Sequence, residues 1–316
     1  MFRPLAVFFI WIIAGAAAAQ DGGARIVLGF PAGATSDILS RLIADHMRQT
    51  LGQPVIVENR PGAGGRVANE AVKAARPDGT TLLMTPVATM SIYPQSFGSL
   101  RYDPFRDFEP VAHLCDFHSA FAVSTRVPAT SLAEYVALVR KDPKAGYYAS
   151  AAAGSIPHFL GVMFARSAGI ELTHVPYKGT APALQALAAG EIAAAVTVSS
   201  DINTLVKSGK ARALAVSGTA RDPAFPDVPT FREAGYDIEG TSWYALFAPA
   251  GVAKPVLERL SKAAIAAIQD PGVKQKLLAM GLQPTGYGPA ELARIMKADY
   301  EKWGPVIRAS GFKPED

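Results

Sequence analysis

Cysteine is nearly missing from this chain: Cys115 stands alone in 316 residues, so no internal disulfide can form, even in the oxidising compartment an exported protein meets. Its surroundings, "VAHLCDFHSAF", alternate apolar residues in the manner of a buried strand rather than a reactive thiol site. Charge is sparse and nearly balanced. Thirty-one Lys and Arg against 27 Asp and Glu leave a formal net charge of +4, with no basic cluster. That excludes nucleic acid as a partner and leaves only a mild pull on anions. The five histidines, His46, His113, His118, His158 and His174, lack the short paired spacing of zinc ligands, so no metal site is expected. "RPGAGG" after "VIVEN" lacks the full G-x-G-x-x-G fingerprint and follows the second strand, not the first, so it reads as a close-packing loop. No cofactor is expected.

Only the first nineteen residues carry a concentrated apolar run. Arg3 supplies a positive start, "LAVFFIWII" an apolar core, and "AGAAAA" a small-residue zone ending in the A-x-A of Ala17 to Ala19. This is the pattern of a cleaved secretory leader, residues 1–19, and it predicts a mature chain beginning near Gln20 in the periplasm. The apolar core is short for a membrane span, and nothing after Ala19 extends it.

Beyond the leader, strand and helix patterns alternate. "ARIVLGF", "PVIVEN" and "TTLLMTP" read as strands, separated by the amphipathic "SDILSRLIADHMRQTLG" and by "RVANEAVKAARPDG", which predicts a mostly parallel sheet faced by helices. A second series opens at the Ser131–Glu134 capping box and runs through "GYYAS", "ELTHVPY", "EIAAAVTV" and "ARALAVSG", each followed or preceded by a helical stretch. Thr230 and Glu233 form another possible capping box, and "TSWYALFAPAG" reads as a long strand leaving this lobe. The remaining C-terminal stretch is helical without strands of its own and is expected to cover the first sheet. The division predicted is 20–122 with 245–316 as domain 1 and 123–244 as domain 2, joined by two crossing segments that form a hinge. A hinge between two lobes invites a ligand.

One stretch raises a chemical question. "RIVLGFPAGATSD" passes from a strand through small-residue breaks into a helix start. Such a turn gathers unpaired backbone N–H groups at the positive end of a helix and favours negative charge without any catalytic side chain. Asp37, a first-turn carboxylate, is read as folding back on its own helix.

The ordered set "GFPAGATSDILSR", "GQPVIVENRPGAGG", "ARPDGTTLL", "YDPFRDFEPV", "HVPYKG" and "PDVPTFREAG" followed by "SWYALFAPAG" resembles, across essentially the whole mature chain, the periplasmic solute-binding proteins of tripartite tricarboxylate transporters, the Bug proteins. The resemblance implies an α/β, two-lobed, type II periplasmic binding protein fold with a hinge of two crossing strands. It also implies a monomer that closes on a small-molecule carboxylate, delivers it to membrane permease subunits or to a sensor kinase, and performs no covalent chemistry. Phe30, Pro31, Ala32, Gly33, Ala34 and Thr35 match the carboxylate-holding loop. Ser150, Ala153, Gly154, Ser155 and His158 match a second ligand loop; an exported hydrolase using Ser155 and His158 is the weaker reading, since an i,i+3 pair at a helix start is more simply a cap and a packed ring. Tyr177, beside Lys178, lies on a turn that the family places near the cleft, and Thr197 falls where many members carry Asp. Ala34 for Gly, Ala152–Ala153 for Gly-Asn and Thr197 for Asp each remove polarity or backbone freedom. A more apolar cleft follows, with Phe30 and Tyr177 as flat walls, suited to an aromatic acid.

Overall fold

The computed structural model describes residues 23–313; the expected leader and the start of the mature chain lie outside them. The first series is β1 (Ala24–Leu28), α1 (Thr35–Leu51), β2 (Val55–Asn59), α2 (Arg66–Lys73), β3 (Thr81–Pro86), α3 (Tyr93–Ser96) and β4 (Phe108–Phe117). The second is β5 (Ser119–Ser124), α4 (Leu132–Lys141), β6 (Tyr147–Ser150), α5 (Ile156–Ala168), β7 (Thr173–Pro176), α6 (Thr180–Ala189), β8 (Ala194–Val198), α7 (Ser199–Lys207) and β9 (Ala211–Val216). The chain then returns through β10 (Ser242–Pro249), α8 (Lys254–Gln269), α9 (Pro271–Ala279), β11 (Leu282–Tyr287) and α10 (Pro289–Ser310).

Two sheets result. One has six strands in the order β11-β4-β10-β3-β1-β2, the other five in the order β7-β6-β8-β5-β9. The expected parallel arrangement holds for β2-β1-β3 and β7-β6-β8. It fails for the crossing strands: β5 is antiparallel to β8 and β9, and β10 is antiparallel to β3 and β4. The reason is geometric. Strands β1, β3, β6 and β8 each run toward the interlobe side before handing over to a helix or turn, whereas a strand arriving from the other lobe enters from that side and runs the opposite way. β3, β5, β8 and β10 are buried at every position, as strands covered on both faces must be.

The C-terminal segment departs from expectation. Residues Leu282–Tyr287 form an edge strand, β11, antiparallel to β4 with a register shift between Pro284 and Tyr287. Its Pro and Gly disguise it, and an edge position is where a strand tolerates them. The chain changes sheet at His118 and again between Val216 and Ser242. The positions after Ala122 and Tyr244, where the sequence divides the chain, lie inside β5 and β10, each of which belongs wholly to one sheet.

Candidate functional site

The turn after β1 delivers the chain to α1, whose N-cap, Ala34, supplies no side-chain cap. Two carboxylates fill part of that gap. Asp37 folds back as a first-turn carboxylate: Oδ2 accepts from the Gly33 amide at 3.0 Å and from Arg41 Nε at 3.0 Å, and Oδ1 from Asn59 Nδ2 at 3.0 Å. Burial pushes its carboxyl up, but the hydrogen bonds from Arg41, Gly33 and Asn59 outweigh burial and hold it below its ordinary value.

The second carboxylate comes from the other lobe. Asp201, in the first turn of α7, accepts from the Thr35 amide at 3.2 Å, and the Thr35 hydroxyl also donates to it. Thr35 Oγ1 lies 2.9 Å from Ser200 Oγ. Burial raises the Asp201 carboxyl above its ordinary value, opposed by Thr35 and Thr180. Asp201 was not among the residues singled out from the sequence. Its signal is "TVSSD", a strand that hands over to a helix as β1 does to α1, so that two helix N-termini face each other.

In the second loop, Ser155 caps α5 by accepting from the His158 amide at 3.4 Å, while its hydroxyl donates to Ala152 O at 2.8 Å. His158 Nδ1 accepts from the Gly154 amide at 3.1 Å, and the ring stacks on His174 with centroids 4.0 Å apart. Burial lowers His158 to about 4 and, joined by the neighbouring His158, lowers His174 to about 3, so both rings are neutral near pH 7. His174 Nε2 lies 2.7 Å from Ser150 Oγ. The Ser155 hydroxyl is thus turned to a carbonyl and not to an imidazole that could take its proton.

Two adjoining cavities lie between the lobes. The inner one, about 70 Å³, is lined by Phe30, Pro31, Ala34, Ser155 and Thr197 among the expected residues. Ser36, Tyr93, Phe117, Thr180, Asp201, Ser242 and Tyr244 also line it. Thr197 Oγ1 donates to Thr180 Oγ1 at 3.4 Å, and Tyr244 stacks on Phe117 at 4.4 Å. The outer one, about 870 Å³, is lined by Phe30, Pro31, Ala153, His158 and Tyr177, together with Arg66, Lys178 and the glycine-rich turn 62–65. Ala32, Gly33, Thr35, Ser150 and Gly154 line neither cavity; they shape the loops from behind. Tyr244 and Ser242 escaped the sequence reading because β10 reads as a connecting strand, and only the closing of the lobes turns its start toward the cleft. Among the described residues, no group of three or more His, Cys, Asp or Glu is placed to hold a metal ion, and no helix is long and apolar enough to cross a membrane.

Two α/β lobes joined by strand crossings, with a cavity at the helix N-termini between them, define a periplasmic solute-binding protein. The chain belongs to the tripartite tricarboxylate transporter receptor family: the family model described as "Tripartite tricarboxylate transporter family receptor" matches residues 39–312. It is similar to Protein BugT of Bordetella pertussis, with 31% identity over 326 aligned positions covering 99% of each chain. Among solved structures it is similar to an R. palustris protein with adipate, at TM-score 0.90 and 30% identity over 94% of this chain and 100% of that one. It is also similar to MatC from Rhodopseudomonas palustris with bound malate, at TM-score 0.86 and 32% identity over 91% and 99%.

Proposed function

We propose that the mature chain, freed of residues 1–19, captures a small organic acid with an apolar body between its lobes in the periplasm and delivers it to the permease of a tripartite tricarboxylate transporter. The observation that carries this reading is the inner cavity. Phe30, Tyr93, Phe117 and Tyr244 supply aromatic wall, and Ser36, Ser155, Thr180 and Ser242 supply scattered hydroxyls. A ligand with polar groups all round would leave several of them unpaired there, at about 1–3 kcal/mol each. An aromatic or aliphatic acid presents its apolar body to those walls instead. The adipate and malate held by the two similar structures support a carboxylate as the ligand class. Binding is the whole activity: Ser155 and His158 serve as cap and packing. The same cleft would serve a sensor kinase, and ligand uptake by cells lacking the protein separates the two, since only a transport receptor changes it.

Calorimetry with benzoate and phthalate types, adipate, malate, citrate, aspartate and glutamate tests the reading. The tightest binding is expected from an acid with an apolar body. Tightest binding to citrate, aspartate or glutamate overturns the apolar-body assignment, and binding of none of these acids overturns the carboxylate reading itself.

A further inference from the structure

We propose that His113, Asp116 and Asp299 form a proton-binding clasp between the first sheet and α10. One proton held among the three seats the helix, and its loss as pH rises loosens the strap that α10 makes across the two lobes. None of the three lines either cavity, so the inference stands apart from the identity of the ligand.

In a regular strand, His113 and Asp116 would point to opposite faces. A bulge in β4 prevents this. Against β10, Ala245 pairs with His113 and Tyr244 with Cys115, so Leu114 is left without a partner and the alternation slips by one. Both side chains thereby reach one face, with His113 Nε2 3.6 Å from Asp116 Oδ1. Trp243, opposite Asp116 across the strand pair, donates its indole N–H to Asp299 Oδ2 of α10 at 2.7 Å. The His113 ring is fully buried. Its Nδ1 lies 2.7 Å from Thr285 Oγ1, whose hydroxyl donates to the His113 carbonyl at 3.4 Å. Nδ1 therefore carries the ring proton and Nε2 keeps a lone pair. Nε2 has no hydrogen-bond partner among the described residues.

Two acceptors thus face each other, with a second carboxylate beside them. A proton on Asp116 resolves both conflicts: a movement of about 0.7 Å lets the acid O–H donate to Nε2, and the repulsion between the carboxylates disappears. Burial and Asp299 push the Asp116 carboxyl up to about 6, burial raises Asp299, and burial holds His113 down at about 4. The proton belongs to the carboxyl pair, not to the ring. Glu291 of α10 faces His113 but is paired with Arg294, and Lys302, near Asp299, is shared with Glu239 at 3.8 Å. Tyr287 of β11 and Trp243 of β10 lie tilted beside the imidazole, with centroids 5.5 and 5.6 Å away. Cys115 belongs to the core on the other face and is kept neutral by burial.

The helix that carries Asp299 touches β4 in one lobe and α5 in the other. Arg166 of α5 donates to the Ala309 carbonyl, and Phe312, just past the helix, packs edge-on against His158 and Phe159 with centroids 5.0 and 5.6 Å away. Charge on Asp116 and Asp299 therefore acts on a helix that joins both lobes. Because the folded value of Asp116 lies above the unfolded one, the clasp's contribution is full below the unfolded value and is lost as pH rises through about 6.

Carbon-13 carboxyl and nitrogen-15 imidazole spectra of the mature protein, followed through a pH titration, test the site. The Asp116 and Asp299 carboxyl carbons are expected to share a step near pH 6, about two units above an ordinary aspartate, while His113 stays neutral through that step with its proton on Nδ1. Both carboxyls titrating in the ordinary range overturn the inference, as does a His113 that itself titrates near pH 6 or carries its proton on Nε2. Hydrogen exchange reads the strap. Asp116→Asn supplies a permanent donor to Nε2, so at about pH 7.5 its α10 amides should exchange about ten-fold more slowly than those of the unmodified protein, and at about pH 5 the two should agree. The same difference at both pH values marks Asp116 as packing alone and overturns the clasp. A difference that opens with pH in β4 but never reaches α10 overturns the strap. The titration of the unmodified protein decides the proton site even if the variant fails to fold.

Discussion

Asp37 and Asp201 stand at the same end of α1, and their surroundings hold them in opposite ways. Asp37 has Arg41, Asn59 and the Gly33 amide around it, and these lower its carboxyl; Asp201 has only hydroxyls and one amide, and burial raises it. Asp37 is therefore a source of stability for the turn. A group whose folded value lies below its unfolded value stabilises the fold above the unfolded value, and that contribution is lost as pH falls through the folded one. Asp37→Ala removes the partners of Gly33 and Asn59 and should cost about 2 kcal/mol at neutral pH. Because the depressed carboxyl of the unmodified chain is itself protonated in strong acid, thermal melts should show the gap closing as pH falls below the ordinary carboxylate range. An equal gap at both ends of the pH range would mean that Asp37 acts by packing alone.

At the scale of elements, close approach decides more than propensity does. Helix α5 lies against β6 because Gly161 has no side chain: a Cβ there would stand 2.3 Å from ring carbons of Tyr148, whose hydroxyl donates to His158 O at 2.8 Å. Gly161→Ala must push either the ring or the helix, and a cost of about 1–3 kcal/mol is expected. Since His158 sits on that helix, the shift should also weaken acid binding; denaturant melts and calorimetry read the two effects. An unchanged midpoint would show that Tyr148 has room to move. Capping motifs show how local patterns bend in context. Ser131 accepts from the Glu134 amide at 3.2 Å, but the Glu134 carboxylate accepts from the amide and hydroxyl of Thr130, one residue before the expected partner. Thr230 and Glu233 make both reciprocal bonds, at 2.9 and 3.0 Å, yet close a turn where no helix follows.

For the whole molecule, the hinge is where the chain changes sheet. His118 stands alone between β4 and β5, and Gly218 on the return crossing lies so near that a Cβ there would meet the His118 ring at 2.0 Å. The two crossings thus pass in contact and define a pivot. We expect the lobes to move about it as units, with α10 riding on the first sheet and reaching α5 of the other lobe. Thr35 and Asp201 already touch across the cleft, so an acid held between the lobes should favour the closed form further. Small-angle scattering with a saturating bound acid should give a smaller radius of gyration than the free protein. Superimposable curves would count against hinge closure.

The order of elements, the two α/β series, the buried nature of Cys115 and the helix start after "GFPAGA" were all legible in the amino-acid sequence, because each rests on short-range periodicity, capping or punctuation that acts within a few residues. The family was legible for a related reason, as an ordered set of turn motifs. The fold class followed from these. What the sequence could not contain was β11, whose Pro and Gly mask an edge strand, and the antiparallel placement of β5 and β10, which depends on the side from which a strand enters a lobe. Nor could it pair Thr35 with Asp201, 166 positions further along the chain. The loop that local chemistry marks as open to an anion is partly filled by a carboxylate that only the meeting of two lobes brings there. Local signals describe what a segment offers; which groups accept that offer is decided by contacts between segments far apart in the chain, and these exist only once the lobes have folded and closed.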